Sequence, residues 1–373
     1  MFRKILGQDQ AVLQLRKAIE NGRISQAYLF HGSDGVGKFM SALYFGMAIN
    51  CYALPELRPC GVCESCHKFL SLEHPDLIYI FPTPNLNLSV DGEIKNPESL
   101  KQYQAFIKNK LEQPWAYFFF KENTEIRKES ISLLIKRMEL TIHEARYRIA
   151  IIEDADQMNT ATANAFLKTL EEPPANTVII LITERLQMIL PTILSRTQPL
   201  YFKPLSQSVI DGILVNQFEV SLSTARTAAK ISAGNLKTAI RIVSDTKSVS
   251  REWAFDIVHL AAENDDLGYI SLMDKYKEFQ NKDQVLDMLK YLRIIAGDLA
   301  CLKISPDSDI TNVDKTDSMI ALANRCKDLD ANLHDFLIVL EDLNRKIEGN
   351  VNLNLILINL FIKTKHFLSA QAC

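Results

Sequence analysis

The stretch Gly32-Ser33-Asp34-Gly35-Val36-Gly37-Lys38 fits the spacing G-x-x-x-x-G-K, and it lies between the apolar run AYLF (27–30) and the helical pattern GKFMSALYFGMAI. A loop of this kind needs a strand before it and a helix after it, so that backbone N–H groups converge on an anion at the helix N-terminus. Glycines 32, 35 and 37 permit the tight turns, and Lys38 could reach terminal phosphates. The residue after the lysine should carry a hydroxyl that ligates Mg²⁺. It is Phe39, and a phenyl ring cannot do so. The run YRIAII (147–152) then ends in Glu153-Asp154, the reverse of the Asp-Glu order expected of an active ATPase of this type. Each carboxylate's reach differs by one methylene, and metal geometry is sensitive to that. The expectation is a degenerate phosphate cradle made by Gly32, Gly35, Gly37, Lys38, Glu153 and Asp154, with Thr183 at the end of TVIILIT completing the candidate contacts. Such a chain does not hydrolyse ATP by itself. ATP or ADP in the loop is compatible with this reading and not required by it.

The rest of the N-terminal half repeats the same alternation. AYLF, DLIYIF (76–81), YRIAII, TVIILIT (177–183) and PLYF (199–202) read as strands, separated by helical patterns that include one around Ile131–Leu140 and NTATANAFLKTLEE (159–172). Near-continuous apolar strands between helices predict a parallel sheet covered on both faces. With 373 residues, two or three domains are expected. The divisions fall at 1–204 for the nucleotide fold, 205–248 for a small helical group broken at Gly234-Asn235, and 249–373 for an all-helical region. Residues 82–124 form an insertion. In it, Asn96-Pro97 reads as a helix start, followed by a stripe of Leu100, Tyr103, Phe106, Ile107 and Leu111 and then the aromatic run WAYFFF (115–120), which must be covered. The insertion is expected to dock on its own domain.

A formal net charge of −3 argues against a surface built throughout to coat nucleic acid. No apolar run approaches membrane-spanning length, and MFRKILGQDQ turns polar too soon for a secretory signal. The expected setting is cytoplasmic, away from membranes, where seven cysteines are not a disulfide framework. Four of them, Cys51, Cys60, Cys63 and Cys66, give C-x8-C-x2-C-x2-C. Four thiolates suit tetrahedral Zn²⁺ and leave no position for water, so the expected zinc is structural. An iron–sulfur cluster is the competing metal reading, although the fourth cysteine lies upstream of the short run such clusters use. His67 and His74 are spare ligand candidates, and His74-Pro75-Asp76 reads as shaping the approach to the second strand. Cys301, Cys326 and Cys373 lie apart and read as ordinary thiols.

In order, HGSDGVGK, the four-cysteine knuckle, HPD, EDADQMN, NAFLKTLEEPP, TVIILIT and ILSRT make the chain resemble the AAA+ subunits of the bacterial DNA polymerase III clamp loader. The resemblance runs from Gly7-Gln8 to the helical C-terminus, and NAFLKTLEEPP is its most specific part. It implies an AAA+ core with a parallel sheet, a helical lid and an all-α collar that assembles a hetero-oligomer. Within the group, Phe39 and Glu153-Asp154 favour the delta prime type over the hydrolysing gamma/tau type. The implied partners are gamma/tau and delta subunits, with the sliding clamp and primer-template DNA reached through the complex. The resemblance also implies a role for Arg196, which on its chemistry alone reads as a surface arginine paired with a nearby carboxylate. In the family, the Arg of Ser-Arg-Cys points at a neighbour's ATP; here the triplet is Ser195-Arg196-Thr197, with the arginine intact. Arg196 is thus the expected catalytic residue, acting in trans as an arginine finger. Lys237 in GNLKTAI stands where the family often has arginine, and the 82–124 insertion is longer than the family's pattern. Two other readings compete: an autonomous gamma/tau-type ATPase, and a zinc-knuckle nucleic-acid binding module with a decayed loop.

Overall fold

The computed structural model describes residues 5–86, 88–89, 92–115, 118, 120, 122–244, 249–280, 282–326, 329–348 and 352–369. Ala116, Tyr117 and Phe119 of the aromatic run, and Cys373, lie outside them. The chain divides into two units, the first reaching Ile210 and taking back Ala233–Thr238, the second holding Asp211–Ser232 and the residues from Ala239 onward.

The first unit is built on five strands, β1 (Ala27–His31), β2 (Leu77–Ile80), β3 (Arg148–Ile152), β4 (Thr177–Thr183) and β5 (Gln198–Tyr201). They pair in the order β2-β3-β4-β1-β5, every pair parallel, with Leu29 opposite Leu181 and Ile151 opposite Ile180. Its helices are α1 (Asp9–Glu20), α2 (Lys38–Asn50), α3 (Glu64–Leu70), α4 (Pro97–Glu112), α5 (Lys128–Glu139), α6 (Thr160–Glu171) and the short α7 (Pro191–Leu194). The side-chain period of two sends alternate strand residues to opposite faces. Tyr28, Phe30, Ile149, Ile151, Val178 and Ile180 pack beneath α1, α2 and α3. Leu29, Ala150, Ile152, Ile179 and Leu181 pack against α5 and α6. Both faces are therefore dry, as the continuous apolar runs predict.

The inserted segment docks on its own unit, as expected. The Asn96 side chain accepts the N–H groups of Glu98 and Ser99 and opens α4 at Pro97. Tyr103 and Phe106 of α4 stack on Phe81, with centroids 5.4 and 4.0 Å away, while Leu100 and Leu111 of the expected stripe are exposed.

Beyond β5 the long regular elements among the described residues are helices, α8 (Gln207–Phe218), α9 (Leu222–Ile231), α10 (Leu236–Ser244), α11 (Val249–Glu263), α12 (Asp266–Lys275), α13 (Lys282–Ile304), α14 (Thr316–Arg325), α15 (Leu329–Glu348) and α16 (Leu353–Ser369). Trp253, Leu292, Leu299, Leu343 and Leu360 lie at the centre of the second unit's core. One buried polar knot crosses it. The Arg251 guanidinium donates to Asn312 and Asp314, and the Asp298 carboxylate accepts the Thr311 and Asn312 N–H groups.

Candidate functional site

The residues just past the C-terminal ends of β1, β2, β3 and β4 meet in a cleft of about 350 Å³, the place where open parallel sheets hold ligands. Gly35, Gly37 and Lys38 line it from the loop after β1, Phe81 from beyond β2, Glu153 and Asp154 from beyond β3, and Glu184 from beyond β4. The opposite wall comes from the insertion: Phe106, Asn109 and Lys110 of α4, with Trp115, Phe118 and Phe120 of the aromatic run.

The glycine loop has the expected strand–loop–helix setting. Gly32 and Gly35 take φ of +144° and +67°, and each also permits a close approach. A Cβ on Gly32 would lie 2.1 Å from the Phe202 carbonyl oxygen, and one on Gly35 would lie 1.9 Å from Asn235 Oδ1. Asn235 in turn accepts the Thr238 N–H, and the Leu236 N–H donates to the Gly35 carbonyl. These glycines therefore fix packing whether or not an anion is bound. Lys38 Nζ donates to the carbonyls of Gly32 and Ser33 at 2.8 and 2.6 Å, closing the loop on itself. Lys237 Nζ pairs with Asp34 at 2.9 Å.

Phe39 is buried, with its ring centroid 5.1 Å from that of Tyr79. Burial of a phenyl side chain contributes about 2 kcal/mol, which a hydroxyl at this position would not supply. Glu153 takes two partly buried partners. Lys110 Nζ lies 2.7 and 2.8 Å from its carboxylate oxygens, and the Tyr79 hydroxyl also donates to it. Burial opposes ionisation of Glu153, but the Lys110 charge and these hydrogen bonds more than offset it and hold the carboxyl below its ordinary range. Asp154 goes the other way. Burial, then the charges of Glu153 and Asp156, push it up to about 7. Thr183 is buried and does not line the cleft; its hydroxyl donates to Asp156 at 2.6 Å and accepts the Arg185 N–H.

Cys51, Cys60, Cys63 and Cys66 converge at the junction of α2 and α3, their four Sγ atoms within 4.8 Å of one another. Cys63 caps α3 and Cys66 lies one turn on, so the second C-x2-C shares one helix face. The Cys51–Cys63 and Cys60–Cys66 sulfur separations are 3.9 and 4.0 Å. A tetrahedral Zn–S₄ site has sulfur–sulfur edges of about 3.8 Å, so the four thiols could hold a metal ion of that size with little movement. N–H groups of Ala53 and Cys60 point at Cys51 Sγ, and that of Cys63 at Cys60 Sγ, as suits thiolates. His74 is outside this cluster. Its Nδ1 accepts the Asp76 N–H, and its ring lies against Phe69, which places it at the start of β2.

Arg196 lies at the other end of the sheet. It lines a shallow polar recess with Gln26, Ala27 and Glu171. Ala27 begins β1, whereas the glycine loop follows the strand's last residue, His31. Five strand residues separate the two places by about 13 Å along the strand direction, so Arg196 cannot serve its own cleft. Its guanidinium donates to Glu171 Oε1 at 2.9 and 2.6 Å, to the Thr192 carbonyl at 2.9 Å and to Ser195 Oγ. The local carboxylate partner expected from its chemistry alone is thus present.

The structure brings Gly35, Gly37, Lys38, Glu153 and Asp154 together at one cleft, leaves Gly32 packed against Phe202 outside its lining, and gathers the four cysteines in another place. Reasoning from sequence missed Lys110, Tyr79 and Glu171. Glu171 lies inside NAFLKTLEEPP and was within reach of that motif. Lys110 carries no motif, and 43 residues of chain separate it from Glu153.

The sequence pattern of the family described as "DNA polymerase III, delta subunit" matches residues 7–206. The DNA polymerase III subunit delta' of Bacillus subtilis is 30% identical over 287 residues, 76% of this chain and 74% of that protein. The gamma/tau subunit of Mycobacterium tuberculosis is 30% identical over 213 residues, 57% of this chain, which spans only 30% of that protein's length. A solved structure of a gamma subunit-related protein from Thermotoga maritima aligns over 96% of this chain and 99% of its own at 14% identity, with a TM-score of 0.43.

Proposed function

The chain belongs to the DNA polymerase III delta subunit family, and from that premise we propose that it is a delta prime-type clamp loader subunit that hydrolyses no ATP of its own and lends Arg196 to a neighbour's ATP site. The observation that carries this reading is the state of the two positions on which a P-loop ATPase holds its magnesium. Phe39 offers a ring in place of a hydroxyl, and Glu153 is bonded to Lys110 and Tyr79.

Arg196 supports the other half of the reading. A planar, permanently charged fork can stabilise charge on a transferring phosphoryl group. Lying away from its own cleft, it is available only to a second subunit, and Glu171 holds it in a defined rotamer until then. The α/β body serves as a stiff mount, since misplacing such a group by an ångström costs much of its effect. The four thiolates hold Zn²⁺ in a site closed to water, which fastens α2 to α3 and takes no part in chemistry. Residues 205–248 act as the lid and 249–373 as the collar that joins gamma/tau and delta subunits, with the sliding clamp and primed DNA met through the complex.

The test is turnover. The purified, zinc-loaded chain with Mg²⁺ and ATP is expected to release phosphate no faster than its Lys38→Ala variant. Added to a gamma/tau-type subunit, it is expected to raise that subunit's rate. Robust hydrolysis by the chain alone, abolished by Lys38→Ala, would transfer it to the gamma/tau type.

A further inference from the structure

Helix α4 brings a charge to one particular point of the cleft. In a P-loop site the divalent metal lies between the hydroxyl that follows the lysine and the acidic residue at the end of the strand. Those positions are Phe39 and Glu153 here. Lys110 Nζ stands between them, 2.7 Å from Glu153 Oε1 and 4.2 Å from the centroid of the Phe39 ring. Its surroundings are built for it. The side chains of Lys110 and Glu153 are only 10% and 13% exposed, and the Tyr79 hydroxyl takes part of the remaining acceptor capacity of the carboxylate. The Phe39 ring presents its negative face to the ammonium. Helix α4 is pinned by the Asn96 cap at one end and by Phe106 against Phe81, Phe118 and Phe120 near the other.

We propose that Lys110 is the resident cation of this cleft: the insertion delivers an ammonium to the place of the missing metal, and so shuts the cleft to metal–nucleotide complexes while keeping its acidic wall neutralised. The proposal deepens the non-hydrolysing reading and rests on it. It gives the 82–124 insertion a task and ties the Phe39 and Glu153 changes to each other. A ring at 39 suits a monovalent ammonium and cannot serve a divalent ion, whereas the longer Glu reaches the lysine. Desolvation and then the Glu153 charge hold the Tyr79 phenol well above its ordinary range, so at neutral pH it keeps its proton and donates to Glu153. A divalent ion that enters must break the buried pair and strand the lysine, which weakens its binding by about a hundredfold or more.

The experiment measures ATP affinity by titration calorimetry on the full, zinc-loaded chain, once with excess Mn²⁺ and once with a chelator too weak to strip zinc. For the wild type, Mn²⁺ is expected to bring no gain. For Lys110→Gln, which frees Glu153, Mn²⁺ is expected to tighten ATP by tenfold or more, and adding Glu153→Gln should abolish that gain. A tenfold metal-dependent gain in the wild type would overturn the proposal. So would a folded Lys110→Gln variant that binds no ATP or binds it without regard to Mn²⁺. Should Lys110→Gln fail to fold, the wild type still decides: reductive methylation of Lys110, read by mass spectrometry, should stay equally slow with and without Mn²⁺ and ATP, and exposure of the amine by the metal–nucleotide would refute its role. Hydrolysis by the wild type would sink the functional reading itself, whereas metal-dependent binding without hydrolysis would sink only this proposal.

Discussion

Adjacent carboxyl groups at the end of β3 have opposite fates, and partners decide which. Glu153 points at Lys110 and Tyr79 and stays ionised, while Asp154, partly buried and near the charges of Glu153 and Asp156, is raised from 3.8 to about 7. A carboxyl whose folded pKa lies above its ordinary value keeps a proton that the unfolded chain has already released. Stability therefore falls as pH rises from about 4 through about 7, and the full cost is present above that. Asp154→Asn removes the charge, and asparagine accepts the left-handed backbone at φ +49°. The variant is expected to be more stable than the wild type by about 1–3 kcal/mol at pH 8, with the difference fading toward pH 4. Urea unfolding at the two pH values measures this; an equal offset at both would show that Asp154 is not raised. The sequence displayed both acids and their reversed order. It could not display their pKa values, because those depend on desolvation in the folded chain and on Lys110, a residue of another element.

Among the elements, the knuckle between α2 and α3 and the inserted helix α4 differ in how much of them could be read. C-x8-C-x2-C-x2-C carries its own geometry, since an x2 spacing across a helix start brings two sulfurs to one ion, and the four Sγ atoms lie within 4.8 Å. Metal analysis of the purified chain should find about one zinc per chain, and Cys63→Ser should lower Tm by about 5 °C or more. A chain folded equally well without metal would remove the structural role. Burial pushes the Cys51 and Cys66 thiols up, whereas the Val62 N–H brings Cys60 down to about 6. Loading such a set displaces protons, so affinity should weaken on acidification. For α4, the start at Asn96-Pro97 was legible because capping is local. Its destination was not: Phe106 and Lys110 gain meaning only against Phe81 and Glu153, far away in the chain. The strands were legible for the opposite reason. The unbroken apolar runs of β1, β3 and β4 reflect burial on both faces, a property each of these strands carries in its own residues, whereas the edge strand β5 is largely exposed.

The first unit keeps two sites apart along one strand. Residues past the carboxyl end of β1 line a cleft of about 350 Å³, and Arg196 lies by the strand's amino end. Among the described residues no helix is long and apolar enough to cross a membrane. The second unit's residues form a core of their own, centred on Trp253 and braced by Arg251. Sequence order alone showed the motifs but not that β1 holds them apart, because that follows from sheet register. On the proposed reading, this chain acts on a nucleotide held by its neighbour. Phosphate release by the assembled loader, with clamp and primed DNA, measured for wild type and Arg196→Ala, is the decisive test. Turnover is expected to fall about tenfold or more while the subunits still co-elute as one complex; an intact complex that hydrolyses ATP at the wild-type rate would contradict it.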